Sequence, residues 1–102
     1  MSIAEIPLSA DNQIFTIQLG GQTLRMRLLY RDAAGWILDI LDADNRPIVN
    51  GIPLVTGGDL LAPYAWLGFS GGLWVGCDDE AQDYPSKTNL GNGSHLYFVT
   101  AT

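Results

Sequence analysis

Apolar side chains recur at every second position across the first third of the chain. Residues 14–19, IFTIQL, and residues 22–30, QTLRMRLLY, both alternate in this way, which is typical of half-buried β-strands. Gly20 and Gly21 separate the two segments and suit a two-residue loop, because glycine reaches positive φ at little steric cost. The pattern predicts a β-hairpin over residues 13–30. Its predicted core-facing side chains are Phe15, Ile17, Leu19, Leu24, Met26, Leu28 and Tyr30.

Two further strands are predicted to follow the hairpin. In WILDILDA, residues 36–43, alternate apolar side chains share one face and Asp39 lies on the other. The segment PIVNGIPLV, residues 47–55, is predicted to be a strand interrupted by Gly51 and Pro53. Because proline cannot donate to a strand ladder, we expect this strand to carry a bulge or to lie at a sheet edge.

The second half of the chain carries two more predicted strands around an irregular segment. The strands are LWVGCD, residues 73–78, and SHLYFVT, residues 94–100. In the irregular segment TGGDLLAPYAWLGFSGG, residues 56–72, Asp59 is positioned to cap a short helical turn and Pro63 opposes its continuation. We therefore expect at most one short helical turn.

These elements predict a single all-β domain over residues 1–102, with about six to seven mainly antiparallel strands in a small barrel or sandwich. A hydrophobic content of 47% suits a packed core. Alternation with a period of two is common to barrels and sandwiches, so both architectures and the strand order stay open at this point.

The net charge of the chain limits the classes of partner that it is expected to bind. Eleven acids oppose five bases, for a formal net charge of −6, and residues 78–83 read DDEAQD. Lys87 is the one cation in the second half of the chain. Phosphate binding needs a basic face, so neither nucleic acid nor an anionic membrane is an expected partner.

Cysteine usage and the apolar runs indicate synthesis in a reducing cytoplasm. Cys77 is the single cysteine, so no intramolecular disulfide can form. The first residues have neither a basic segment nor an apolar core of a signal peptide. The apolar runs fall short of the roughly 20 residues that a membrane helix needs.

Candidate catalytic groups are few. His95, the single histidine, begins the last predicted strand, where a structural role beside solvent is favoured over general-base catalysis. A nucleophile built from Cys77, His95 and Asp78 is conceivable, but Cys77 has no surrounding catalytic signature and shares a strand face with Leu73 and Val75. We expect core packing for Cys77 and no enzymatic activity.

Metal and cofactor motifs are incomplete. The carboxylates of residues 78–83 are expected to form a solvated acidic loop rather than a calcium site, although cation binding there stays open. Counting from Asp42, the sixth and twelfth positions are Pro47 and Pro53, so the EF-hand pattern fails. The glycine pairs are turn residues without a phosphate-loop context, and no cofactor is expected.

The aromatic segment APYAWLGF is the least ordinary feature. Tyr64, Trp66 and Phe69 lie in a stretch rich in glycine and proline, where such side chains either close the end of the core or contact a partner. We assign these three residues as candidate interaction residues.

Two longer stretches carry a family resemblance: GWILDILDADNRPIVNGIPLVTGGDLLAPYAWLG, residues 35–68, and NLGNGSHLYFV, residues 89–99. They resemble the baseplate plug family of contractile-tailed phages and prophages, proteins of roughly a hundred residues. The resemblance rests on the Trp-x-Leu-Asp-Ile strand, on Ile-Pro-Leu-Val-Thr-Gly and on Asn-Leu-Gly before Ser-x-Leu-Tyr-Phe-Val. Asn89, Leu90, Gly91 and Ser94 match as turn residues, with glycine permitting a tight turn and serine opening the strand.

The resemblance implies a structural component of the virion tail, made in the host cytoplasm, that associates with hub or tube proteins and closes or lines the tail channel. It implies no catalytic residues and leaves homo-oligomerisation open. An alternative from another class is a small-ligand binding domain with an aromatic-lined mouth near Tyr64 and Trp66.

Overall fold

The computed structural model describes residues 2–19, 21–32, 34–69 and 71–100. Within these ranges the chain forms strands β1 (Ser2–Ile6), β2 (Gln13–Leu19), β3 (Gln22–Arg31), β4 (Gly35–Asp42), β5 (Pro47–Pro53), β6 (Gly72–Cys77) and β7 (Ser94–Thr100), with one 3-10 segment at Ala62–Leu67. The fold is all-β, as the alternation predicts. No helix of the described residues is long and apolar enough to cross a membrane.

The four-stranded sheet has the order β2-β3-β4-β5 and every pairing in it is antiparallel. Leu19 pairs with Gln22, which confirms the predicted hairpin and its two-residue loop. Gly21 has a φ of 83°, a left-handed conformation that glycine reaches without steric cost. Gly20 lies outside the described residues.

Strand β5 is the irregular edge strand that its sequence predicts. Its pairing with β4 shifts register between Leu38 and Ile40, opposite Gly51, whose φ is 78°. The Gly51 N–H donates to Asp39 Oδ1 over 2.8 Å, so the bulged backbone has a hydrogen-bond acceptor. Asp39 also accepts from Arg27 at 2.6 Å and is 7% exposed.

The three-stranded sheet has the order β1-β7-β6, with both pairings antiparallel. The sequence pattern did not predict β1. In this strand only Ile6 is buried, whereas Ile3 is 63% exposed, so the alternation that marks the other strands is too weak to detect. Strand β1 exists because it pairs with β7 at the far end of the chain.

The two sheets pack face to face as a sandwich, and the ladders of the described residues do not close them into a barrel. Burial of apolar side chains between the layers is the main stabilising term. Both sheets supply the core, whose members include Leu24, Met26, Leu28, Trp36, Leu38, Ile40, Ile52, Leu73, Val75, Leu96 and Phe98.

Asp59 and Leu60 bond the outer edge of β6. Asp59 Oδ1 accepts from the Leu61 and Leu73 N–H groups, each at 2.9 Å, and the Leu60 N–H donates to the Leu73 carbonyl at 2.8 Å. The predicted cap at Asp59 is therefore present, and the helical content after it is one short 3-10 segment with a kink at Tyr64. The same carboxylate satisfies an edge-strand donor that would otherwise be open.

Candidate interaction surface

The outer face of the three-stranded sheet brings side chains from both ends of the chain together. Because successive side chains of a strand alternate between faces, Leu96 and Phe98 enter the core while Tyr97 and Val99 face outward. The register places Ile3 beside Val99, and it places Trp74 beside Tyr97. We call Ile3, Trp74, Tyr97 and Val99 the outer patch.

The outer patch exposes large apolar side chains. Ile3 is 63% exposed and Trp74 is 41% exposed, whereas Tyr97 and Val99 are half-buried. A Cβ added to Gly76 would lie 3.2 Å from Tyr97 Cε2, so the absent side chain at Gly76 leaves room for the tyrosine ring across β6. Leu73 and Val75 share one predicted strand face, whereas the sequence pattern predicts no role for Trp74, the large side chain between them.

His95 stands at one end of the outer patch between two carboxylates. Its Nδ1 lies 2.8 Å from Glu5 Oε2 and its Nε2 lies 3.1 Å from Asp78 Oδ1. The hydrogen bond to Glu5 is the main cause that raises the pKa of His95, and the charges of both carboxylates act in the same direction against desolvation. The protonated ring donates to both acids and joins β1, β7 and the loop after β6.

This geometry gives His95 a structural role. Both ring nitrogens have carboxylate partners, so neither nitrogen is directed at an open reaction site. The sequence anticipated a structural histidine but not its two partners, since Glu5 lies 90 residues away along the chain.

Cys77 ends β6 beside the same acidic loop. It is half-buried against the hydrophobic core, in agreement with the expected packing role. Burial raises the pKa of the Cys77 thiol, and the charges of Asp78, Asp83 and Asp79 raise it further. Because the thiolate is the nucleophilic form, this environment disfavours covalent catalysis.

The acidic loop, residues 78–83, is held by hydrogen bonds to an Asp79 side-chain oxygen and to Thr56. Asp79 Oδ1 accepts from the Ala81 N–H at 3.0 Å. The Asp83 carbonyl accepts from the Thr56 N–H at 2.9 Å and from Thr56 Oγ1 at 3.1 Å. Within the described parts of the chain, no three His, Cys, Asp or Glu side chains are arranged to hold a metal ion.

Two of the three predicted aromatic interaction residues contact the hydrophobic core. Tyr64 and Phe69 are half-buried and pack against the core. The side chain of Trp66 lies outside the part of the chain that the structure describes. A role for these residues in binding a partner stays a prediction.

Two adjoining depressions mark the end of the four-stranded sheet, with volumes of about 350 and 390 Å³. Tyr30 and Lys87 line both depressions, and the Lys87 ammonium lies 5.8 Å from the centre of the Tyr30 ring. Neither depression is lined by Tyr64 or Phe69. These volumes therefore do not coincide with the aromatic mouth that the ligand-binding alternative places near Tyr64.

The turn before β7 accounts physically for the motif residues at 89–94. Ser94 Oγ donates to Asn89 Oδ1 over 2.9 Å, and the Asn89 carbonyl accepts from the Gly93 N–H at 2.9 Å. Gly91 has a φ of 87°, and an added Cβ there would lie 2.0 Å from the Leu8 carbonyl oxygen. Leu90 is 1% exposed. The turn thus needs glycine at 91 and opens its strand at Ser94, as the sequence predicts.

Comparison with known proteins gives one family assignment. The family model described as cyanophage baseplate Pam3 plug gp18 matches residues 3–101. A search of curated proteins finds no match to the chain. The family match includes all seven strands almost completely and confirms the resemblance carried by residues 35–68 and 89–99. The chain therefore belongs to the phage baseplate plug family represented by Pam3 gp18.

Proposed function

We propose that this chain is a structural plug subunit of a phage tail baseplate, where it associates with the central hub and closes or lines the tail channel. The observation that carries the proposal is the family match over residues 3–101. This placement makes the chain a virion protein that is synthesised in the host cytoplasm before assembly.

The physical properties of the chain suit an assembly subunit. A net charge of −6 on 102 residues keeps copies dispersed by mutual repulsion until a partner binds. The candidate nucleophile Cys77 has a raised thiol pKa and both nitrogens of His95 are engaged by carboxylates. These features support a structural role without catalysis.

Isolation of intact tails from a host that produces the phage or prophage tests the proposal directly. We expect the chain in the purified tails at a constant ratio to the hub protein, with cross-links to the hub and with density on the tail axis at the baseplate. A chain that is abundant in the lysate but absent from tails contradicts the function. Density confined to the periphery of the baseplate contradicts the closing or lining of the channel.

A further inference from the structure

We propose that the outer patch is the docking surface of this chain, with Trp74 as its exposed aromatic anchor, and that its occupant is a protein surface with an apolar centre and a basic rim. The proposal rests on the baseplate function proposed above and adds which face binds and the chemistry of the partner.

The fold does not require a tryptophan at position 74. Leu73 and Val75 anchor β6 in the core with exposures of 0% and 7%, whereas Trp74 faces away from the core and is 41% exposed. Its neighbours on the same strand face are Gly72 and Gly76, so no side chain of β6 shields the ring. Tryptophan and tyrosine are enriched at the centres of protein interfaces.

The strands that carry the outer patch are hydrogen-bonded to one another before any partner binds. Tyr97 and Val99 stand on β7, which is paired on both sides, and Ile3 is fixed by pairing of β1 with β7. A preorganised surface loses little conformational entropy on association. Because Asp59 and Leu60 already bond the open edge of β6, we expect a partner to cover the sheet face there rather than extend that edge.

The charges around the outer patch indicate the charge expected on the partner's surface. Glu5 and Asp78 are exposed at its His95 end, and Asp79 and Glu80 continue from β6. Residues 2–6, 71–86 and 94–100 contain neither lysine nor arginine. A basic rim on the partner complements these acids and steers association.

The same charges disfavour other occupants. Two copies that pair through this face would bring like charges together around a symmetric contact. Anionic lipid and nucleic acid would be repelled for the same reason. A basic-rimmed protein is the occupant that both the apolar centre and the acidic border favour.

Incorporation of purified variants into tails tests whether the outer patch is the docking surface. The probe is a preparation of tails assembled in a host that lacks the gene for this chain, to which purified full-length variants are added. We expect Trp74→Ser to lower incorporation by about tenfold or more, the scale of the loss of an aromatic anchor. Tyr84→Ser is the matched control, because Tyr84 is 59% exposed and lies away from the outer patch, and it should incorporate like the wild type.

Hydroxyl-radical labelling gives a second measurement that needs no substitution. Trp74 should be labelled in the free chain and protected in tails, while Tyr84 remains labelled in both. Equal labelling of Trp74 in the two states, or equal loss from both substitutions, overturns the proposed surface. If the wild-type chain itself does not enter tails, the baseplate function fails instead, so the two failures are distinguishable.

A charge series tests the chemistry of the occupant. The combined change Asp78→Asn, Asp79→Asn and Glu80→Gln should weaken incorporation and reduce its dependence on salt. The control removes three charges from exposed Asp11, Asp32 and Asp44 and should leave incorporation within about twofold of the wild type, on the scale of surface charge effects. Equal effects of both triple changes, or dimerisation of the free chain through Trp74, contradict a basic-rimmed partner.

Discussion

His95 shows how two distant acids define the state of one side chain. Only 18% of its side chain is exposed, and its ring lies within hydrogen-bond distance of Glu5 and Asp78. A protonated ring satisfies both acceptors, whereas a neutral ring can donate to only one of them. The interaction is therefore strongest when the imidazole is charged.

This geometry predicts that stability falls as the pH rises. The folded pKa of His95 is raised above the ordinary value of 6.5, so its contribution is fully present below that value and is lost as the pH passes through the folded pKa. We expect the free energy of unfolding of the wild type to decrease, relative to His95→Gln, as the pH rises from 6.5 through the raised pKa of folded His95. Denaturant unfolding at each pH measures the difference.

The glutamine variant is the control because it retains hydrogen-bonding groups but does not titrate in this range. Identical slopes of stability against pH for the two proteins would contradict the coupling of His95 to its carboxylates.

Gly91 is a position where both backbone conformation and space exclude a side chain. Its φ is 87°, and a Cβ would meet the Leu8 carbonyl oxygen at 2.0 Å. We expect Gly91→Ala to lower the free energy of unfolding by more than about 3 kcal/mol, since the strained backbone and the displaced Leu8 carbonyl both contribute. Thermal or denaturant unfolding measures this change.

Gly57→Ala provides the comparison for that substitution. Gly57 also has a positive φ, of 98°, but nothing lies within 4 Å of the added Cβ. The free energy of unfolding of this variant should fall by only about 1–2 kcal/mol, the conformational cost of a side chain at positive φ. Equal losses at the two glycines would show that the contact with Leu8 is unimportant.

At the scale of elements, the β4–β5 pair depends on one buried carboxylate. Asp39 is 7% exposed, accepts from the bulged Gly51 N–H and pairs with Arg27, whose side chain is 44% exposed. The ion pair is therefore partly screened by solvent and contributes modestly. The hydrogen bond from the Gly51 N–H to Asp39 is more important. Gly51 lies at the bulge of an edge strand, where another backbone acceptor cannot readily take the place of Asp39.

The two contacts of Asp39 can be separated by substitution. Asp39→Ala leaves the Gly51 N–H without its acceptor and should cost about 1–3 kcal/mol. Asp39→Asn keeps an oxygen for Gly51 while losing the charge opposite Arg27, so we expect a smaller loss, within about 1 kcal/mol. Denaturant unfolding of both variants measures the losses, and hydrogen exchange at Gly51 should accelerate only in the alanine variant.

Equal losses of stability in the two variants would assign the stability to the ion pair rather than to the bulge. Equal exchange at Gly51 in both variants would argue against the hydrogen bond as the constraint on β5.

For the molecule as a whole, the positively charged side chains are unevenly distributed between the two sheets. Arg25, Arg27 and Arg31 lie on β3 and Arg46 lies in the turn after β4, whereas the three strands of the other sheet contain neither lysine nor arginine. The acidic loop follows β6 and adds negative charge beside the outer patch. This separation gives the two outer faces different chemistry and favours one orientation of the chain toward a partner.

Alternation and turn residues are enough to predict the hairpin, the irregular edge strand and the core faces of β3 and β4, and short motifs are enough to carry the family resemblance. These features follow from local signals, because side-chain alternation and turn glycines depend only on neighbouring residues. The turn residues Asn89 and Gly91 were also recognisable from sequence, since the turn hydrogen bonds form within one short segment. The close approach of Leu8 to Gly91 was not, because it joins distant parts of the chain.

Long-range strand pairing sets the sandwich architecture, the joining of β1 to β7 and the contact between Glu5 and His95. It also placed Ile3 and Trp74 on one surface, although they come from opposite edges of the three-stranded sheet. These outcomes depend on pairing between segments up to about ninety residues apart. Such pairing is chosen by burial of the whole core rather than by local pattern, because each strand could satisfy its own alternation with several different neighbours.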